Sequence, residues 1–237
     1  MKASARFFPS LVLTAGMILA FAACEERGPV TTETRVVRAE GALSAKVSLR
    51  MGAGVLRLSG GAEELMEGRF LCNVKHWKPE ISYSVSGGKG RLTVRQGKGH
   101  SVFFGSGRNK WDMHLTNTLP IDLHVSLGAG ENRLDLRGLN LSSLDIQMGV
   151  GEVHLDLRGP RGRSFDVVID GGVGSGRIVL PRDIGVRAEI HGGLGSVHAR
   201  GFRKDGHIYT NDAFGKSPVV LNLKINAGIG SIDLNED

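Results

Sequence analysis

Two segments of the chain, Glu131-Asn-Arg133-Leu-Asp135 and Glu152-Val-His154-Leu-Asp156, place a carboxylate, a cation and a second carboxylate at alternating positions. Alternation puts all three side chains on one face of a strand. If two such strands lie side by side, like residues are roughly 4.8 Å apart. Stacked carboxylates at that spacing could bind Ca²⁺, and a retaining glycosidase needs carboxyls about 5–5.5 Å apart. The plainer alternative is a solvated face on which opposite charges neighbour one another, each pair contributing well under about 1 kcal/mol. The mixed signs favour that alternative. Later segments carry Ser175, Arg177 and Val179, then Ser196, His198 and Arg200, then Ser231, Asp233 and Asn235 at the same offsets. Asp145 and Asp166 read as an outward-facing pair matched in register. His154 and His198 share an offset two repeats apart, too far for joint ligation of one metal. No catalytic residue, metal or cofactor is expected.

A second candidate is a run of cations. Between Ile81 and Trp111 there is no Asp or Glu, but there are Lys89, Arg91, Arg95, Lys98, Arg108 and Lys110, interrupted by Phe103 and Phe104. Basic residues interleaved with aromatics can hold an anionic polymer. The competing reading is a glycine-rich surface excursion whose Lys and Arg keep a sheet edge soluble. His76, Trp77 and Pro79 read as a packing corner. The motifs H-E-x-x-H, G-x-S-x-G and the phosphate-loop lysine are missing. The Gly-x-Gly runs are not nucleotide fingerprints, because strand patterns rather than helices follow them.

Those runs are instead the mark of a repeat. Met51-Gly-Ala-Gly54 recurs as Leu127-Gly-Ala-Gly130, Met148-Gly-Val-Gly151, Gly171-Gly-Val-Gly174, Gly193-Leu-Gly195 and Gly228-Ile-Gly230. From Gly130 the intervals are 21, 23, 21 and then 35 residues, so the last repeat carries an insertion, over residues 202–218. Period-two alternation brackets each run: Leu144, Ile146 and Met148 before one, Val153, Leu155 and Leu157 after it. Alternation marks strands with one buried face. A rung of about 21 residues cannot bury that face alone, whereas stacked rungs can. The predicted fold is all-β, a stacked β-solenoid of such rungs. An antiparallel β-sandwich is the alternative. Beyond Ala39 the best helix candidate, residues 63–70, amounts to one or two turns.

The N-terminus sets the location. Lys2 and Arg6 precede an uncharged apolar stretch from Phe7 to Ala23, the layout of a secretory signal. Phe21-Ala22-Ala23-Cys24 resembles the lipobox of bacterial lipoproteins. The resemblance implies cleavage after Ala23 and acyl chains on Cys24, with more than one chain needed for stable anchoring. Cleavage removes Lys2 and Arg6 and lowers the formal charge from +6 to +4. Residues 24–38 read as the lipidated cysteine and a polar tether. Cys72, the only other cysteine, then reads as a buried thiol. Nucleic acid is not an expected partner of an exported chain.

The segments Asn109-Lys-Trp-Asp-Met-His-Leu115 and Leu119-Pro-Ile-Asp-Leu-His-Val-Ser-Leu-Gly-Ala-Gly130, with Met51-Gly-Ala-Gly-Val-Leu-Arg-Leu58 upstream, resemble toast-rack domains. These occur in LiaF-like cell-envelope stress proteins and in PspC-like phage-shock proteins. The resemblance covers most of residues 40–235 and implies an N-terminal unit over 39–120 with a C-terminal β repeat over 121–237 stacked on it. It implies action by interaction, often in envelope stress sensing, and supplies no catalytic residues. LiaF-like proteins carry membrane helices where this chain has a lipobox. The expected function is therefore a membrane-anchored, non-catalytic binding or scaffold domain. The alternative is a carbohydrate-binding, adhesive or polysaccharide-acting solenoid. The expected partners are the membrane, through Cys24, and an envelope protein or anionic envelope polymer. Glu25 is not the Asp that often retains lipoproteins at the inner membrane. The periplasmic face of an outer membrane is thus preferred, otherwise the outer face of the cytoplasmic membrane.

Overall fold

The computed structural model describes residues 27–98 and 107–237. Ala23, Cys24, Phe103 and Phe104 lie outside them. Among the described residues thirteen strands make one sheet, with a single 3₁₀ turn at Lys75–Trp77. Six strands are long and carry the glycine runs: β2 (Ser44–Gly60), β7 (Ile121–Asp135), β8 (Leu141–Asp156), β9 (Phe165–Leu180), β10 (Gly185–Arg200) and β13 (Val220–Glu236). They pair in parallel in the order β2-β7-β8-β9-β13-β10. This is the expected stack of rungs, and its parallel pairing sets aside the sandwich.

Chain length shows that each long strand is bent. β8 starts beside the first residue of β7, Leu141 against Ile121. Laid straight, β7 would span about 50 Å, whereas the connection from Asp135 to Leu141 reaches at most about 21 Å. The strand must double back at its middle, where the glycines are. Each rung thus has a first arm, a tip at Gly-x-Gly, and a second arm, with the connections at the opposite end, the base. Buried parity changes at the tip: Val47, Leu49 and Met51 are buried before it, Leu56 and Leu58 after it. The same change runs from Leu144 and Ile146 to Val153 and Leu155, and from Leu223 and Ile225 to Ile232 and Leu234. Both arms therefore present their apolar faces to one core.

Glycine is required at the tip because the rungs approach so closely there. Gly54, Gly130, Gly151, Gly174, Gly230 and Gly195 have φ between 140° and 156°, a region other residues rarely adopt. A β-carbon on Gly130 would strike the carbonyl oxygen of Gly54. One on Gly151 would strike that of Gly130, and the collision repeats at Gly174, Gly230 and Gly195.

The first rungs are capped by shorter strands. On the first-arm side β5 (Lys89–Gln96) pairs in parallel with β2, and β4 (Pro79–Ser86) covers β5. On the second-arm side β6 (Asn109–Leu115) pairs with β2, then β3 (Met66–Val74), then β1 (Arg27–Val37). At the far end the hairpin of β11 (Arg203–Asp205) and β12 (Ile208–Thr210) covers the first arm of β10. Trp111 is fully buried, edge-on to Phe70 with ring centroids 5.4 Å apart, and Trp77 is buried as a packing corner. Cys72 is buried and free.

Three expectations need correction. Residues 27–37, expected within the tether, form strand β1. Their run of Thr and Val suits an edge strand, and the absence of a buried face hid it. The helix candidate over 63–70 gives way to strand β3 from Met66, because Met66 and Phe70 pack in the core. Rungs do not stack in sequence order: β13 inserts between β9 and β10. Residues 121–237 follow on from 39–120 in the same stack, Ala45–Ser59 pairing in register with Ile121–Asp135.

Candidate functional site

The strongest charge feature lies on the outer face of the first arm. Lys89, Arg91 and Arg95 of β5 point to the same side as Lys46 and Arg50 of β2, and all five are exposed. Register sets Lys46 directly opposite Arg91 and Arg50 opposite Arg95. Like charges directly opposite on neighbouring strands are destabilising. One member of each pair is neutralised: Lys46 Nζ lies 3.5 Å from Asp122, and Arg95 pairs with Glu80. Arg91, Arg50 and Lys89 have no ion-pair partner among the described residues. Ser84 stands opposite Arg91, and Ser86 opposite Lys89. Lys46, Lys89, Arg91 and these serines line a cleft of about 560 Å³ near the base, with Asp122, the partner of Lys46, also in its wall. Guanidinium, ammonium and hydroxyl donors converging with free valence suit an oxyanion, phosphate above all.

The six expected cations do not all meet there. Lys98 and Arg108 flank the stretch outside the described residues. Lys110 lies on β6 in the second arm and pairs with Asp112 at 3.0 Å. Lys46 and Arg50 were not legible as part of the group, because 43 and 39 residues separate them from Lys89 at the start of β5. Their only sequence signal is their outward phase on a strand whose partner is unknown until it folds.

The carboxylate columns do stack: Glu131 is opposite Glu152, and Asp135 opposite Asp156. Each carboxylate has its own neighbouring base. Glu131 pairs with Arg133 at 2.7 Å, Glu152 with His154 at 3.7 Å, and Asp156 with Arg158 at 2.8 Å. Arg137 grips both oxygens of Asp135, at 2.8 and 2.6 Å. Those hydrogen bonds hold the Asp135 carboxyl below its usual range. The arrangement is a charge-balanced strand face. Among the described residues no three His, Cys, Asp or Glu converge to hold a metal. Asp145 and Asp166 are not a matched pair. Asp145 is opposite Val168, and Asp166 opposite Ser143, because the glycines fix the register and Asp166 lies one alternation further from Gly174 than Asp145 does from Gly151. Insertion of β13 puts His154 and His198 three rungs apart.

A larger cleft of about 650 Å³ runs beside the tip on the first arm. Ser126, Gln147, Asp170 and Asn226 line it, with Asn226 Nδ2 donating to Asp170 Oδ1 at 2.7 Å. No aromatic ring lines it, so it lacks the stacking platform a glycan groove would offer.

A parallel stack of bent strands with polar outer faces defines an all-β stacked-rung domain. The family profile described as the N-terminal domain of toast_rack, DUF2154, matches residues 26–179. The chain belongs to this toast-rack family. A solved structure from Clostridium sporogenes, provisionally named a cell adhesion protein, is similar at 35% identity with a TM-score of 0.82. The match covers 88% of this chain and all of that one. A provisionally named adhesin from Bacteroides fragilis matches at 11% identity and TM-score 0.32, over 86% of this chain and 96% of that one. Another from Parabacteroides merdae matches at 12% and 0.28, over 88% and 98%. No curated protein matches the chain.

Proposed function

We propose that the chain is a lipid-anchored envelope protein with a non-catalytic, adhesion-type β scaffold, and that its first-arm face binds an anionic envelope polymer. The observation that carries the binding is the pair of cross-strand like-charge contacts, Lys46 with Arg91 and Arg50 with Arg95. Each leaves one guanidinium without an acidic partner. A chain of negative groups lying along β2 and β5 neutralises both ends of the strip, which are four residues or about 14 Å apart. The provisional name of the 35%-identical relative supports adhesion over catalysis. Cys24 supplies the anchor. The proposed location is the periplasmic face of the outer membrane where there is one, otherwise the outer face of the cytoplasmic membrane. Envelope stress sensing is a finer form of the same reading and rests on the family resemblance.

The test is titration of the mature protein with polyphosphate of defined length, over a salt series, against an Arg50→Glu/Arg91→Glu variant. Expected is binding that weakens as salt rises and that the variant loses at least tenfold. Equal binding by both proteins overturns the assignment of this face.

A further inference from the structure

The residue between the two glycines of each rung forms a column across the tip. In stacking order it reads Ala53, Ala129, Val150, Val173, Ile229 and Leu194. Val150 is 55% exposed, Val173 46%, Ile229 52% and Leu194 73%. They are four of the seven large apolar side chains exposed among the described residues, so the exposure is gathered in one line rather than scattered. Neighbours are about 4.8 Å apart, which makes the line from Val150 to Leu194 about 14 Å long. The flanking glycines have no side chains to cover it. A narrow apolar cleft lined by Ile169, Ile178, Ile225 and Ile232 opens beside Val173 and Ile229.

The path of the N-terminus says what covers this ridge. Thr31 is abreast of Cys72, and Cys72 of Asn109. Lys110, the next residue, is abreast of Val55, which follows Gly54. Thr31 is therefore level with the tip, and β1 enters from beyond it, since its direction is that of the second arms. Cys24 is three residues before Arg27, within about 11 Å by chain length. Lipids on Cys24 thus place a bilayer at the tip end of the stack, the end that carries the ridge.

We infer that the ridge docks on the bilayer that holds the Cys24 lipids, with Val150, Val173, Ile229 and Leu194 entering the boundary between headgroups and acyl chains. This rests on the lipid-anchor reading above. β1 and β10 are eight strand spacings apart in the sheet, or about 38 Å. The anchor and the most exposed ridge residue, Leu194, are therefore widely separated points of attachment. Acyl chains hold the protein to the membrane, and the ridge fixes its orientation. The tip lies along the surface, and the first-arm cations face sideways into the space above it.

The test uses full-length acylated protein in phosphatidylethanolamine–phosphatidylglycerol vesicles, with a nitroxide on Leu194→Cys or, at the base, on Ser86→Cys. Both positions are exposed, so neither label disturbs the core. Expected at position 194 is a several-fold fall in relaxation by a water-soluble nickel complex relative to oxygen, with no such fall at position 86. A label at 194 as open to the nickel complex as that at 86 overturns the docking. Mass measurement of the mature N-terminal peptide reads the anchor separately. Cys24 without acyl chains overturns the anchor and, with it, the reason for this orientation. An acylated chain with a wet label at 194 overturns the ridge alone.

Discussion

Lys46 and Arg91 face each other on adjacent parallel strands, and Asp122 reaches only Lys46. The fold bears this repulsion without an internal remedy for Arg91. Arg91→Glu places a carboxylate opposite Lys46 instead. Stability should rise by about 0.2–1 kcal/mol while binding to polyphosphate falls. Urea midpoints and titration on the same preparation check the pair of effects. A variant that loses both stability and binding would mean that Arg91 is a structural residue.

The tip glycines should be the least replaceable residues of the rungs. Gly174→Ala puts a methyl group against the Gly151 carbonyl at φ 152°. The neighbouring rung cannot yield without breaking its own ladder. The expected loss is upward of about 3 kcal/mol. Gly162→Ala in the β8–β9 connection meets nothing within 4 Å and should stay within about 0.5 kcal/mol of the parent. Urea denaturation of both variants separates a tip constraint from a general intolerance of alanine.

Asp135 should contribute to acid sensitivity. Arg137 holds its folded pKa below the unfolded value of about 3.9. A depressed carboxylate pKa gives stability that is present above the unfolded pKa and lost as pH falls through the folded one. The Asp135 side chain is 44% exposed, so solvent screening keeps the effect small. Asp135→Asn should be slightly less stable than the parent at pH 7, and the difference should be smaller near pH 3. A constant difference at both pH values would remove the carboxylate from the explanation.

The rungs were legible because their physics is local. Alternation about Leu144, Ile146, Val153 and Leu155 marks two half-buried segments, and the recurrence of Gly130, Gly151 and Gly174 at intervals of 21 and 23 residues sets the stack. The change of buried parity between Met51 and Leu56 was also on the page, as the trace of the bend. What was not legible depends on partners far away in sequence. Nothing near β13 says that it enters between β9 and β10. Nothing near Lys46 says that β5 is its neighbour. Strand β1 escaped notice because its side chains are mostly exposed on both faces, which leaves no alternation to read. The tip ridge was hidden for another reason. Val150, Val173, Ile229 and Leu194 look like ordinary strand residues until the bend turns them out.

Residues 201–219 lead from β10 to β13, and besides the β12 pairing with β10 the Asn211 side chain holds them. It is fully buried. Its Oδ1 accepts from the Val186 backbone N–H at 2.8 Å, and its Nδ2 donates to the Ile184 carbonyl at 2.9 Å and to Glu236 Oε1 at 3.3 Å. The excursion is thereby pinned to the start of β10 and touches the end of β13. Asn211→Asp keeps the shape but replaces the donor with a second acceptor beside Glu236 and a carbonyl. Burial and the neighbouring carboxylate would raise the folded pKa of the new group. A raised carboxylate pKa costs stability above the unfolded value and restores it as pH falls. The variant should therefore lose about 2–4 kcal/mol at pH 8 and recover part of that near pH 4. Asn211→Ala should lose a similar amount with no recovery beyond the parent's own pH dependence. Urea midpoints of the two variants and the parent at both pH values measure this. Identical pH dependence in all three would show that Asn211 holds the excursion by shape rather than by its amide donor.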